Sequence, residues 1–258
     1  MLKRKSISIL TLFILGVLML LDYYIGISEW PFVLLLCAFL VITICGSFFI
    51  QWNYHLTSLH GNKNTSKNQI AITFDDGPHP EFTPKALELL KKHKAKATFF
   101  CIGKHVEKYP EIVKRILAEG HLVGNHTYSH SNFFGFFGTE KVIADLRKTI
   151  KSLQLLIHKK PILYRPAFGV TNPMIAKAVK QMKISSIGWN VRSLDTTARS
   201  EKQILNRVTK KLSKGDIVLL HDTSQKTIDV LEQLLLFLEE KNLESVTVDL
   251  LLEIEAYA

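Results

Sequence analysis

The sequence predicts an α/β fold, a distorted (β/α)7 barrel behind an N-terminal two-helix transmembrane hairpin. Three observations predict it. Two nearly unbroken apolar runs fill the first 50 residues. Beyond residue 68, short apolar runs alternate with longer amphipathic ones. Carboxylates, histidines and an arginine collect where the short runs end.

The two apolar runs, at about residues 6–26 and 32–50, are each close to the ~20 residues that a bilayer-crossing helix requires, and neither shows a polar face at helical period. Lys3-Arg4-Lys5 precedes the first run, as in a signal peptide. That run is long, however, lacks an Ala-x-Ala-like cleavage site, and is followed almost at once by a second span. The connection Ile27-Ser28-Glu29-Trp30-Pro31 is short, so residues 1–50 are expected to form a hairpin whose ends emerge on one face. Tyr23, Tyr24 and Trp30 are expected near the opposite interface. The basic N-terminal cluster predicts an integral membrane protein with two spans and a cytoplasmic following domain, with an extracytoplasmic domain as the alternative.

The chain carries 33 Lys and Arg against 23 Asp and Glu, a formal charge of +10. The five charged residues before residue 51 net to +1, so the remainder carries +9. Such a field suits an anionic leaflet, a lipid phosphate or an acidic glycan, or simply keeps the domain soluble; no nucleic-acid partner is expected. Three cysteines, two of them inside the second span, indicate no disulfide framework. Residues 51–68 are polar and turn-rich and read as a linker.

From residue 69 to 258 the strand-like runs fall at 70–74, 97–102, 121–124, 162–165, 185–189, 217–220 and 245–248. Amphipathic stretches at 84–93, 110–119, 139–157, 173–182, 201–212 and 227–240 alternate with them. Repeated strand–helix units imply a parallel sheet, and about seven in under 200 residues imply a small closed or nearly closed barrel. Catalytic groups in such a fold sit at the C-terminal ends of the strands. The first strand ends in Asp75-Asp76 before a Gly-Pro turn. Adjacent like charges there call for a metal or a basic partner, unless Asp76 caps the next turn and Asp75 is solvated. The third ends in Asn125-His126-Thr127-Tyr128-Ser129-His130. If that segment turns helically, both imidazoles share one face, a spacing zinc sites use. Later strand ends supply Arg165-Pro166, Asp195 and Leu219-Leu220-His221-Asp222. Each has a bland structural explanation alone, but five coincident polar strand ends do not.

As a set, Thr73-Phe74-Asp75-Asp76-Gly77-Pro78, His126-x-x-x-His130, Arg165-Pro166-x-x-Gly169 and Leu220-His221-Asp222 resemble the polysaccharide deacetylases of carbohydrate esterase family 4, which carry the nodulation-factor deacetylase homology domain. The resemblance runs from about Gln69 to Val248. It implies a metal-dependent hydrolase that removes N-acetyl or other N-acyl groups from an amino-sugar glycan or lipid-linked amino sugar. Asp75 would be the general base, and Asp76, His126 and His130 would hold a divalent metal, zinc first, with cobalt, nickel or manganese as alternatives. Arg165 would orient Asp75, His221 would be the general acid and Asp195 would steady it. The Phe168 backbone N–H would help bind the oxyanion, and Leu219 would line the acetyl pocket with Trp189 as neighbour. The chain departs from the family where Thr196 follows Asp195 in place of a frequent Trp, and where Arg192 stands near an often acidic position. O-acetyl ester hydrolysis at the same site, or a glycan-binding membrane protein without catalysis, are the alternatives.

Overall fold

The computed structural model describes residues 3–258; Met1 and Leu2, the first residues of the expected hairpin, lie outside them. Two long helices open the chain, α1 (Arg4–Ile25) and α2 (Trp30–Phe48). By length and composition both suffice to cross a membrane, with mean hydropathy of 2.1 and 2.5 over their most apolar windows. Their apolar side chains are left uncovered, as at Leu12, Phe13, Leu34 and Val41, which water does not tolerate over so large an area. Both helices meet the rest of the chain at one end. The Arg4 N–H donates to Tyr54 O at 3.0 Å and the Thr171 N–H to Ser47 O at 2.9 Å. Gly46 is required there, because a Cβ would run into the ring of buried Tyr54.

The remaining elements follow in order: β1 (Ser58–Leu59), β2 (Gln69–Asp75), α3 (Phe82–Lys92), β3 (Ala97–Cys101), α4 (Gly103–Lys108), α5 (Pro110–Ala118), β4 (Leu122–Asn125), α6 (Thr139–Ile157), β5 (Leu163–Tyr164), α7 (Pro173–Met182), β6 (Ser185–Ile187), β7 (Val191–Arg192), α8 (Glu201–Thr209), β8 (Ile217–His221), α9 (Gln225–Glu240), β9 (Glu244–Ser245) and α10 (Val248–Leu252). The strands pair in the order β1-β6-β5-β4-β3-β2-β8-β7, with β9 on β2, and every strand pair is parallel. The sheet curls without joining β1 to β7, so the expected distorted barrel is an open one.

The reason lies in burial. The central strand β2 is covered on both faces from Ile70 to Asp75, as a parallel strand between a helical layer and a barrel interior must be. Its outward face packs with α3, α5 and α9 through Leu87, Leu90, Ile116, Leu231 and Leu234. Its inward face joins Phe100, Leu163, Trp189 and Leu219 in the barrel interior. Each such side chain contributes about 1.5–3 kcal/mol on burial.

Residues 51–68 are more than a linker. Ser58 and Leu59 pair with β6 and Gly61 bridges to Asp216; just before them Ile50, expected to end the second span, enters the barrel interior beside Trp189 and Leu219. A two-residue strand has no periodicity to read, and the polar composition concealed it. Residues 246–248, expected to complete the last strand, leave it after Ser245, and α10 begins at Val248.

Candidate active site

Parallel strands place their C-terminal ends on one rim, and here β2 and β8 run in register so that Asp75 pairs with His221. The cleft at that rim has a volume of about 230 Å³ and is lined by eight of the ten predicted site residues: Asp75, Asp76, His126, His130, Phe168, Trp189, Leu219 and His221. The other two, Arg165 and Asp195, stand directly behind Asp75 and His221. Larger hollows of about 630, 510, 410 and 400 Å³ lie elsewhere on the molecule. Among them only the 410 Å³ hollow has a carboxylate in its lining, the single Glu119, so chemistry rather than size distinguishes the smaller cleft.

Arg165 is fully buried and its guanidinium makes four hydrogen bonds. Nη1–H donates to Asp75 Oδ1 at 2.9 Å and to Thr73 Oγ1 at 2.7 Å. Nε–H donates to Ile187 O at 3.2 Å and Nη2–H to Gly188 O at 2.9 Å. Its plane also lies over the Phe100 ring, 4.1 Å from the centroid. Only a planar fork of donors satisfies this set of acceptors. Asp75 is thereby held in one orientation, with Oδ2 3.9 Å from His126 Nε2.

Asp76, His126 and His130 converge so that one ligating atom from each lies within 4.8 Å of the others. Asp76 Oδ1 lies 3.4 Å from His126 Nε2 and 3.2 Å from His130 Nε2, yet it is buried without a hydrogen-bond partner. An orphaned carboxylate oxygen facing two imidazole nitrogens is what a cation would satisfy. His126 Nδ1 lies 3.0 Å from Arg165 O, a partner that can only accept, so Nδ1 carries the proton and Nε2 presents its lone pair. These residues therefore fit a divalent ion. Burial pushes the Asp76 carboxyl up, but the proximity of His126, with His130 and His221, more than offsets it and holds the group well below the usual range. Burial pulls His126 down while the Asp75 and Asp76 charges outweigh it and raise it. His130 drops to about 4, chiefly through burial and then through His126.

The two histidines do not share a helical face. Residues 126–130 form an irregular turn in which Thr127 (φ 64°) and His130 (φ 44°) are left-handed. The turn is held from below: the Thr127 N–H donates to Asn125 Oδ1 at 2.8 Å, and the Tyr128 and Ser129 N–H groups donate to Asp145 of α6 at 2.6 and 3.2 Å. Asp76, Phe168 and Leu194 are left-handed too. Five costly non-glycine conformations on one rim mark a site that the surrounding fold over-determines.

On the neighbouring strand, His221 Nδ1 lies 2.8 Å from Asp195 Oδ1. Asp195 is fixed in turn by the Ser193 and Thr227 hydroxyls and by the His221 N–H, at 2.8, 2.9 and 2.7 Å. Burial lowers His221, but the hydrogen bond and charge of Asp195, with Asp75 and Asp76 adding, raise it to about 9. It is an imidazolium at neutral pH. Phe168, left-handed at φ 58°, sets its ring 4.5 Å from that of His130. Arg192 and Thr196, the two departures noted in the sequence, both line the cleft, with Arg192 5.8 Å from the Trp189 ring centroid. Behind His221, fully buried Asp222 accepts from the Thr83 hydroxyl and is pushed up to about 7, mainly by burial. A Cβ at Gly77 would meet that carboxylate at 2.6 Å, so position 77 has to be glycine. The supporting groups Asp145 and Thr227 had no signal in the sequence, since each acts from a helix on a residue 16 or more positions away.

A polysaccharide deacetylase family model matches residues 62–187. A peptidoglycan-N-acetylglucosamine deacetylase of Bacillus cereus is 38% identical over 188 residues, covering 71% of this chain and 87% of the relative. The chain belongs to the polysaccharide deacetylase family. Another member, the chitooligosaccharide deacetylase of Azorhizobium caulinodans, is 34% identical over 158 residues, 61% of this chain and 75% of that protein. Among solved structures, the Bc1960 peptidoglycan N-acetylglucosamine deacetylase superposes with a TM-score of 0.73 at 35% identity, covering 78% of this chain and 94% of the other. As a polysaccharide deacetylase, this chain is a hydrolase with a curled parallel α/β fold. The family model's match ends before Asp195 and His221, so those two join the site by position and not by that match.

Proposed function

We propose that this polysaccharide deacetylase hydrolyses the N-acetyl amide of an amino sugar, in a glycan or on a lipid carrier, with base and acid at the ends of two neighbouring strands. The observation that carries this reading is the pairing in register of Asp75, braced by buried Arg165, with His221, braced by buried Asp195. Asp75 takes a proton from the attacking water, and Arg165 keeps its carboxylate aimed. His221 delivers a proton to the departing amine nitrogen, and Asp195 fixes its tautomer and orientation. The Phe168 N–H donates to the oxyanion, where one such donor is worth roughly 3 kcal/mol of barrier. Leu219 and Trp189 enclose the acetyl methyl. Asp76, His126 and His130 would hold a divalent ion, zinc in the first instance, which when bound would polarise the acyl carbonyl and acidify water. The relatives' substrates, peptidoglycan and chito-oligosaccharide, support an amino-sugar substrate.

The role of His221 has a pH signature. A general acid raised to about 9 works below that value, so the rate of amide hydrolysis is expected to fall as pH rises through about 9. His221→Gln is expected to remove that limb and lower the amide rate by about 10²–10⁴. An O-acetyl ester of the same sugar, whose leaving alkoxide needs less protonation than an amine, should lose far less. Retention of the alkaline limb in His221→Gln, or equal losses on both substrates, would assign the acid elsewhere.

The hairpin is read as an anchor that places the barrel on the cytoplasmic face, following Lys3-Arg4-Lys5. A reporter fused after Lys67 is expected to be active only in its cytoplasmic form; activity outside the membrane would reverse the orientation.

A further inference from the structure

The turn that carries His130 continues into a loop with two outward phenylalanines, Phe133 and Phe136, which are 69% and 88% exposed. The loop is not loose. Phe134 between them is buried with Leu146, Tyr164 and Ile175, and Gly135 O accepts from Asn172 Nδ2 at 2.6 Å. The rings at 133 and 136 are therefore held pointing away from the barrel. Their position bears on what covers them. Asn172 follows Thr171, whose N–H donates to Ser47 O in the last turn of α2. At the end of that turn, Phe48 and Phe49 are exposed as well. The loop thus flanks the barrel-side end of the apolar hairpin, where a spanning helix leaves the hydrocarbon core and amphipathic or aromatic groups settle in the interface. Arg4 lies at the same end through its bond to Tyr54 O, which adds cations suited to lipid phosphate. The catalytic rim is part of this surface, since Phe168 lies three residues before Thr171 and its ring rests on His130.

We infer that the loop seats Phe133 and Phe136 in the bilayer interface beside α2, so that the cleft opens at the membrane surface and takes its amino sugar from a membrane-embedded lipid carrier. This rests on the deacetylase and membrane-hairpin readings and narrows the substrate to the lipid-linked class. The occupant of the apolar loop is the bilayer. A glycan stacking on the rings, or a second copy of the chain, would act differently in the following test.

The full chain is reconstituted in phosphatidylcholine–phosphatidylglycerol nanodiscs and given two substrates: soluble N-acetylated chitotetraose, and N-acetylglucosamine on a dialkylglycerol anchor in the same discs. With Phe133 and Phe136 both changed to Ser, hydrolysis of the anchored sugar is expected to fall about tenfold, with chitotetraose within about twofold of the parent. Equal losses on both substrates would assign the rings to sugar stacking, and no loss on either would remove them from substrate capture; both overturn the inference. Seating is read separately from activity. In discs of brominated lipid, Phe136→Trp should add strongly quenched emission, whereas Leu155→Trp, at the far end of α6, should add unquenched emission. If the two are quenched alike, the loop is not in the interface. A parent that hydrolyses neither substrate would defeat the deacetylase reading, while the quenching comparison would still decide the seating.

Discussion

Asp75→Asn is expected to reduce deacetylation by about 10²–10⁴ while leaving bound metal unchanged. The substitution keeps the shape of the side chain and removes its basicity. It leaves in place Asp76, His126 and His130, whose ligating atoms converge within 4.8 Å. Metal stoichiometry by mass spectrometry, measured beside acetate release, separates the two roles of the adjacent carboxylates. Parallel loss of metal and activity would make Asp75 a ligand instead of the base, and undiminished activity would remove it from the chemistry. The converse change, Asp76→Asn, should lower metal content first.

The second large effect is on stability. Arg165→Met should lower the melting temperature of the detergent-solubilised chain by roughly 10 °C, because removing one partner of a buried ion pair leaves the other charge uncompensated at about 3–5 kcal/mol. The acceptors left behind include Thr73 Oγ1 and the Ile187 and Gly188 carbonyls, so the loss exceeds that of one ion pair. Arg165→Lys should recover little of it, since an ammonium cannot reach acceptors spread over β2 and the end of β6. The double variant Arg165→Met with Asp75→Asn should regain part of the loss by removing the stranded charge. A melting temperature unchanged in Arg165→Met would mean that Arg165 serves orientation alone.

Much of this site was legible before any coordinates, and the reason is specific. A parallel barrel exports its chemistry to strand C-termini, so Asp75-Asp76, His126, Arg165 and His221 stand out as polar groups where apolar runs stop. The way the groups are held was not legible. His126 and His130 meet through a strained turn rather than a helix, and that turn depends on Asp145, well along α6. Asp195 is fixed by Thr227 from α9, 32 residues away. Such partners are set by packing between elements and leave no local pattern. Residues 58–59 joined the sheet for a similar reason, since pairing with Ser186 and Ile187 is a matter of tertiary placement. Phe133 and Phe136 belong to no pattern read in the sequence, and gain meaning from the Asn172–Gly135 and Thr171–Ser47 bonds that place them beside α2.

The central claim, N-deacetylation by metal and paired base and acid, is tested most directly by acetate release from N-acetylated chitotetraose by the purified full-length chain. Release should be abolished by a chelator, restored by added zinc, and nearly absent in Asp75→Asn. A folded chain shown to hold metal that releases no acetate from any N-acetylated amino sugar, or one that releases it unaffected by the chelator, would contradict the account.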